Sequence, residues 1–175
     1  PERTFTPSDA AEMDRPMTTD TLTRDTQSTE AALRRLLDIE EIRALRVRYS
    51  NVLDTGKIDG FDDVFTEDAV LSVTVGDMQG INAIKEGLKG AFDLYNWKQK
   101  DSHPFMHAVT NHDIRITGPD SAEGQCYLLD FVTGREADQH PLLLVGLYVD
   151  KYVRENGAWK ISHTRLDVPW GSTDA

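Results

Sequence analysis

Three histidines just past the middle of the chain are the side chains best suited to acid–base chemistry. They are His103, His107 and His112. An imidazole titrates near neutral pH, so it can take a proton from a substrate and return it. Because alternate side chains of a β-strand face opposite sides, His107 and His112 are expected to point in opposite directions. Without a bulge in the strand, they are therefore not expected to bind one metal ion together.

The same alternation leaves open which histidine faces the protein interior. It groups His107 with Asn111 and Asp113 on one face, and His112 with Ile114 and Ile116 on the other. Both faces also carry apolar residues, so burial alone does not identify the face that lines a cavity.

The sequence lacks the motifs of several other kinds of catalytic site. The chain has no glycine-rich phosphate loop, no His-Glu-x-x-His, no Gly-x-Ser-x-Gly and no cysteine–histidine ligand set. Its single cysteine, Cys126, cannot form an internal disulfide. We therefore expect a reaction that uses no cofactor and no metal.

Composition restricts the partners and the compartment. The 175 residues include 19 basic and 30 acidic side chains, for a formal charge of -11. Such a surface repels nucleic acid and anionic membranes, and no apolar run is long enough to span a bilayer. We expect a soluble, cytoplasmic protein.

Residues 1–28 and residues 29–171 differ sharply in composition. The first segment is rich in Thr, Asp, Ser, Pro and Glu and has few large apolar side chains. Too little apolar surface is present to offset the entropy lost on ordering. We predict a disordered tail over 1–28 and a single domain over 29–171.

The domain opens with helical periodicity. Apolar residues recur at helical spacing from Leu33 to Leu53, and charged residues occupy most of the opposite face. The apolar set is Leu33, Leu36, Leu37, Ile39, Ile42, Leu45, Tyr49, Val52 and Leu53. We predict a long helix ending near Gly56, a short helical turn over 58–65 and a further helix over 81–95.

Strand patterns dominate the remainder. Residues 69–75 alternate, and β-branched and aromatic residues concentrate in segments 105–117, 123–133, 142–154 and 159–168. Turn residues separate these segments, and Asn156-Gly157 is typical of a two-residue hairpin. The pattern predicts an α+β domain with about three N-terminal helices packed in a curved, mainly antiparallel sheet.

Several segments, taken in order, resemble SnoaL-like domains of the nuclear-transport-factor-2-like superfamily. They are residues 38–45 (DIEEIRAL), Arg48-Tyr49, Asp54, residues 65–70 (FTEDAV), residues 107–111 (HAVTN) and residues 157–161 (GAWKI). The resemblance covers about residues 33–170. It implies a cone-shaped α+β barrel around one cavity, assembled as a homodimer or homotrimer.

The resemblance also implies a catalytic group. In lyases of this superfamily, an Asp at the end of the first helix meets a His on the first long strand, and Asp54 and His107 match those positions. Thr110-Asn111 follows at the dehydrochlorinase spacing, and Tyr49 matches a tyrosine of the bile-acid dehydratases. His107 would be the base and Asp54 its orienting partner, and Tyr49 would donate to a leaving oxygen or an enolate.

Four further residues are expected to contact the substrate: Asn111, Trp97, Tyr127 and Arg165. Trp97 is a candidate for packing or for the pocket rim. Arg165 lies near the cavity arginine of the dehydrochlorinase. However, Thr164 is the residue that aligns, and a shift of one residue changes the face of a strand.

The leading hypothesis is a cofactor-independent, dehydratase-like lyase that acts on a small, mostly apolar ring compound. The family also contains scytalone dehydratase, ketosteroid isomerases, polyketide cyclases and non-catalytic dioxygenase subunits, so the fold alone does not fix the chemistry. An isomerase, a cyclase or an aldehyde-releasing lyase would use the same site. A small-molecule-binding or dioxygenase β-subunit-like module is the non-catalytic alternative.

Overall fold

The structure, a computed structural model, describes residues 19–171, which divide into two compact units between Leu36 and Leu37. Most of the predicted tail, residues 1–18, lies outside the described residues. Residues 19–28 differ from the prediction because they form the start of a helix.

The first helix, α1, spans Thr19–Thr55. Its second half buries Ile42, Leu45, Tyr49, Val52 and Leu53 in the core, as the periodicity predicted. The first part of the stripe is also helical, but it is more than half exposed at Leu33, Leu36 and Leu37. Periodicity shows which side chains share a face but not what covers that face. No helix among residues 19–171 is both long and apolar enough to cross a membrane.

The remaining elements follow the predicted order, with one addition. A 3₁₀ helix spans Ile58–Asp63, β1 spans Phe65–Val73, β2 spans Gly76–Gln79 and α2 spans Ile81–Tyr95. The long strands are β3 (Phe105–Gly118), β4 (Ser121–Val132), β5 (Leu142–Glu155) and β6 (Ala158–Gly171). The short strand β2 was not predicted, because its sequence GDMQ has no strand-like alternation of large residues.

The six strands form one sheet in the order β2-β1-β6-β5-β4-β3. All neighbouring strands are antiparallel except β1 and β6, which are parallel. The α+β class and the mainly antiparallel sheet are confirmed. Since β2 and β3 each have only one partner strand, the sheet does not close into a complete barrel.

The core within residues 37–171 lies between the helices and the inner face of this sheet. Ile84 and Leu88 of α2 are buried there with Leu71, Leu128 and Ile161 of the strands. At the far end of the sheet, Asn156 and Gly157 both have positive φ angles, 52° and 83°. These angles suit the predicted two-residue turn between β5 and β6.

Candidate active site

The last turn of α1 carries Asp54, which is buried. The helix ends because Gly56 adopts a φ of 66°, and a Cβ atom there would lie 2.8 Å from the Phe92 ring of α2. Just before β3, the His103 N–H donates to the carbonyl oxygen of Asp54 at 2.5 Å. The end of α1 is therefore held against the start of β3.

His107, the third residue of β3, is bound to Asp54 through two hydrogen bonds. Its ring Nδ1 lies 2.6 Å from Oδ1 of Asp54, and its backbone N–H donates to Oδ2 at 3.1 Å. Because a carboxylate accepts at Nδ1, the neutral ring carries its proton there and leaves the Nε2 lone pair free. The Phe105 ring stands perpendicular to the imidazole, with centroids 5.1 Å apart, and fixes its plane.

The two carboxylates near His107 stabilise its charged form. Burial by itself lowers the pKa of His107, but the hydrogen bond to Asp54 and the charge of Asp130 outweigh burial, so the pKa is raised above 6.5. The ring can therefore hold a proton that it has taken from a substrate.

Asp130 is a second carboxylate beside the imidazole, and sequence reasoning missed it. It pairs with His107 across the β3–β4 ladder, and its Oδ2 lies 3.8 Å from Nε2. Its Oδ1 is buried without a hydrogen-bond partner. Burial raises the pKa of Asp130, and the charge of His107 opposes that rise. The sequence did contain one indication of this role. Asp130 follows Cys126 and Leu128 at two-residue spacing, so all three face inward from β4.

Tyr49 lies on α1 and lines the same pocket as His107 and Asp130. It is fully buried and makes edge contacts with Phe65 and Tyr148, at centroid distances of 5.8 and 5.9 Å. Burial raises the pKa of Tyr49, while the Arg46 guanidinium and a hydrogen bond with Tyr148 act against that rise. The phenol therefore remains protonated at neutral pH and can donate a hydrogen bond.

The pocket around these groups is mostly apolar. Its cavity measures about 50 Å³. The apolar walls come from both helices and from the inner face of the sheet: Leu53, Leu88, Phe105, Leu128, Leu144 and Leu166. The elements α1, β3 and β4 thus bring together a base and two potential acids within apolar walls. The base is His107, and the acids are Tyr49 and Asp130.

Three of the residues predicted to bind substrate lie outside this pocket. Tyr127 is 49% exposed, because it alternates with inward-facing Cys126 on β4. Arg165 is exposed and pairs with Asp167 at 2.8 Å, whereas Thr164 takes the inward position. Trp97 is 53% exposed and does not line the pocket. As expected from the one-residue shift in the alignment, Thr164 faces inward and Arg165 faces the opposite side of β6.

A β-bulge in β3 corrects the predicted directions of the two histidines. The register with β4 shifts between Thr110 and Asp113, and Asn111 has a φ of 53°. The extra residue reverses the alternation, so His107 and His112 both face inward. Asn111, the fourth predicted substrate-binding residue, is instead exposed at the bulge, where its side chain accepts a hydrogen bond from Thr110 at 3.0 Å.

His112 belongs to a buried polar cluster separate from the dyad. Its Nε2 lies 3.1 Å from the Tyr152 hydroxyl, which donates to Asp150 at 2.6 Å. Burial lowers the pKa of His112 to about 4. Ligand atoms of His112, Cys126 and Asp150 lie within 4.8 Å of one another. However, the buried guanidinium of Arg46 lies 3.5 Å from Asp150 and opposes a cation there.

A larger open groove of about 1050 Å³ lies beside the ends of α1 and α2. Its lysines Lys85 and Lys89 form ion pairs with Asp62 and Asp93, at 2.6 and 2.5 Å. No buried acid or base lines it. The smaller pocket at His107 is therefore the candidate active site.

Comparison with known proteins agrees with this fold. The model of the SnoaL-like domain matches residues 34–165. The chain therefore belongs to the SnoaL-like domain family. One relative, the terrestric acid biosynthesis cluster protein E of Penicillium crustosum, is 32% identical over 120 residues, which cover 65% of this chain and 72% of that protein.

Solved structures show the same fold. A candidate scytalone dehydratase from Novosphingobium aromaticivorans superposes with a TM-score of 0.63 at 23% identity, covering 77% of this chain and 85% of that one. A nuclear-transport-factor-2-like protein with a cystatin-like fold, from the same organism, gives a TM-score of 0.66 at 19% identity, with 90% and 94% coverage. At these identities the likeness establishes the fold.

Proposed function

We propose that this chain is a cofactor-independent lyase that removes water from a small, mostly apolar ring compound. One observation carries the proposal. The Nδ1 atom of His107 is bound to a buried carboxylate, which leaves Nε2 free in a pocket shared with Asp130 and Tyr49. A base of this kind, beside two potential acids, is what an elimination requires.

The proposed reaction begins with transfer of a carbon-bound proton to Nε2 of His107. The carbon would lie next to an activating carbonyl group, so the electron pair left behind is held as an enolate. Asp54 stabilises the imidazolium through the bond at Nδ1. The carbon–oxygen bond on the neighbouring carbon then breaks, a double bond forms, and the hydroxyl leaves as water after accepting a proton.

Two groups are candidates for supplying that proton. Tyr49 is protonated and fully buried in the pocket wall. Asp130 is the alternative, because burial raises its pKa and its Oδ1 has no partner. Since Oδ2 of Asp130 lies 3.8 Å from Nε2, no ring fits between them. If Asp130 is the acid, the proton and the hydroxyl leave from the same face of the substrate.

The cavity is smaller than a ring compound needs. It measures about 50 Å³, whereas an engineered protein cavity that binds benzene measures about 150 Å³. A ring compound therefore has to displace residues around the site. Val75 is the best placed to move, because it lines the pocket and is 42% exposed at the turn between β1 and β2.

The names of the neighbours support a small-molecule enzyme. One structural neighbour is named as a candidate scytalone dehydratase, and the fungal relative is named for a biosynthetic cluster. Two buried carboxylates around one imidazole also favour catalysis over simple binding, because burying charge is costly unless the charges are paired.

The proposal is tested by incubating the purified chain with cyclic β-hydroxy ketones and following products by mass spectrometry. The expected result is loss of water that is abolished in the His107→Ala variant. It should be kept in His163→Ala, which removes an imidazole of β6 outside the pocket. A product of unchanged mass would indicate an isomerase or cyclase, and release of a small aldehyde would indicate the retro-aldol type of lyase. Binding without any product would favour a small-molecule-binding module or a dioxygenase β-subunit-like module.

A further inference from the structure

The polar lining of the pocket is acidic rather than basic. Its ionisable side chains are His107, Asp130 and the tyrosines Tyr49, Tyr95 and Tyr148, and no lysine or arginine of the described chain lines it. The carboxylate of Asp54 lies directly behind His107. An anionic group entering the pocket would meet two carboxylates and one imidazole, which carries at most one compensating positive charge.

The nearest buried cation, Arg46, does not line the pocket. Arg46 is fully buried behind the pocket wall, 3.5 Å from the ring centroid of Tyr148 and 4.5 Å from that of Tyr49. Its Nε lies 3.5 Å from Asp150. The guanidinium is therefore paired with its own carboxylate and separated from the pocket by two aromatic rings.

A cationic group is disfavoured for a different reason. Asp54 and Asp130 already stabilise a positive charge on the His107 ring. A ligand ammonium at Asp130 would lie beside that imidazolium, since Nε2 and Oδ2 are only 3.8 Å apart. Two like charges on neighbouring groups in a buried site repel each other strongly.

A neutral polar group can form a hydrogen bond with Oδ1 of Asp130. Oδ1 of Asp130 is buried and has no partner, and an unsatisfied buried oxygen is costly. A hydroxyl can donate to this oxygen when Asp130 is ionised and accept from it when Asp130 is protonated. A carbonyl can accept from the protonated form or from Tyr49.

We infer that the pocket selects ring compounds whose polar group is an uncharged hydroxyl or carbonyl, and that Asp130 is the residue that rejects anionic analogues. The inference rests on the proposed function only in assigning the substrate to this pocket. It concerns binding, so it can hold whether or not the bound compound is converted.

The experiment compares three single-ring probes of similar size: benzyl alcohol, benzoate and benzylamine. Each is titrated at neutral pH into the ¹⁵N-labelled chain, and the dissociation constant is taken from shifts of the backbone amides of the pocket residues. We expect the alcohol to bind at least about tenfold more tightly than either ion, which corresponds to about 1.4 kcal/mol. In Asp130→Asn, benzoate should gain about tenfold while the alcohol changes by less than about threefold.

The control is Asp113→Asn, which removes one exposed carboxylate of β3 outside the pocket and should leave all three constants unchanged. The inference is overturned if benzoate or benzylamine binds the native chain as tightly as the alcohol, or if none of the probes binds. It is also overturned if folded Asp130→Asn keeps the full discrimination against benzoate. The titration measures binding and not turnover. A chain that prefers the alcohol but dehydrates nothing would therefore contradict only the proposed function.

Discussion

The Nδ1 atom of His107 lies 2.6 Å from Oδ1 of Asp54, although 53 residues separate the two along the chain. The contact joins the last turn of α1 to the start of β3. The backbone N–H of His107 binds the other oxygen of the same carboxylate. Asp54 therefore fixes both the position and the tautomer of the ring.

This dyad predicts non-additive effects on activity. His107→Ala should lower kcat by about 10²- to 10⁴-fold, because the base is lost. Asp54→Asn should also be severe, and the double variant should be little worse than the poorer single variant because the two residues act as one unit. Rates would be measured on the first substrate found by the product screen. His163→Ala is the matched control, and additive losses would contradict a shared role.

The pH dependence of the rate follows from the charge of His107. Only the neutral ring can accept a proton, and the pKa of His107 is raised above 6.5. The rate should therefore fall as the pH drops, with a midpoint above 6.5. In Asp54→Asn the charged partner is lost, so the midpoint should move to lower pH. A profile of kcat/KM from pH 5 to 9 in both proteins tests this, and identical midpoints would count against the dyad.

The hydroxyl of Tyr49 should contribute to the transition state. Tyr49→Phe removes one buried donor while keeping the ring, so we expect kcat to fall by about 10²-fold with little change in the melting temperature. Tyr152→Phe is the control, because its hydroxyl is bonded to Asp150 outside the pocket. Equal losses in the two variants would point to a structural effect.

Activity should not depend on a metal ion. The dyad and Asp130 make hydrogen bonds and charge contacts that suffice for proton transfer, and Arg46 opposes a cation at the His112, Cys126 and Asp150 cluster. We expect full turnover after prolonged dialysis against a strong chelator. Loss of turnover that one divalent ion restores would overturn the cofactor-free mechanism.

We predict that the chain self-associates through an apolar patch on the outer face of the sheet. Apolar side chains adjoin across four strands, since Ala108 pairs with Leu129, Leu129 with Val145, and Val145 with Trp170. Ala108 and Trp170 are exposed, and Leu129 and Val145 between them are half-buried. Apolar patches on a protein surface mark protein interfaces. Light scattering should give a dimer or trimer of the 19.7 kDa chain. Leu129→Glu should dissociate it, and Thr117→Glu, near the end of β3, should not. A monomeric native chain would refute the prediction.

The sequence alone determined the order and type of most elements. Local patterns are sufficient where one face of a segment is consistently apolar, and α2 and the four long strands fall close to their predicted limits. Resemblance to a family brought Asp54, His107 and Tyr49 together as one predicted site. The structure places the first two in direct contact and the third in the same pocket.

Tertiary structure decided what local pattern does not contain. One extra residue at Asn111 turned His112 inward, because a bulge changes the alternation of every residue after it. Strand pairing placed Asp130 beside His107, although nothing near Asp130 in the sequence marks it as a partner. Exposure of Leu33 depends on what lies beside that face of the helix. Periodicity fixes the direction of a side chain within its element, and only the arrangement of elements determines what the side chain meets.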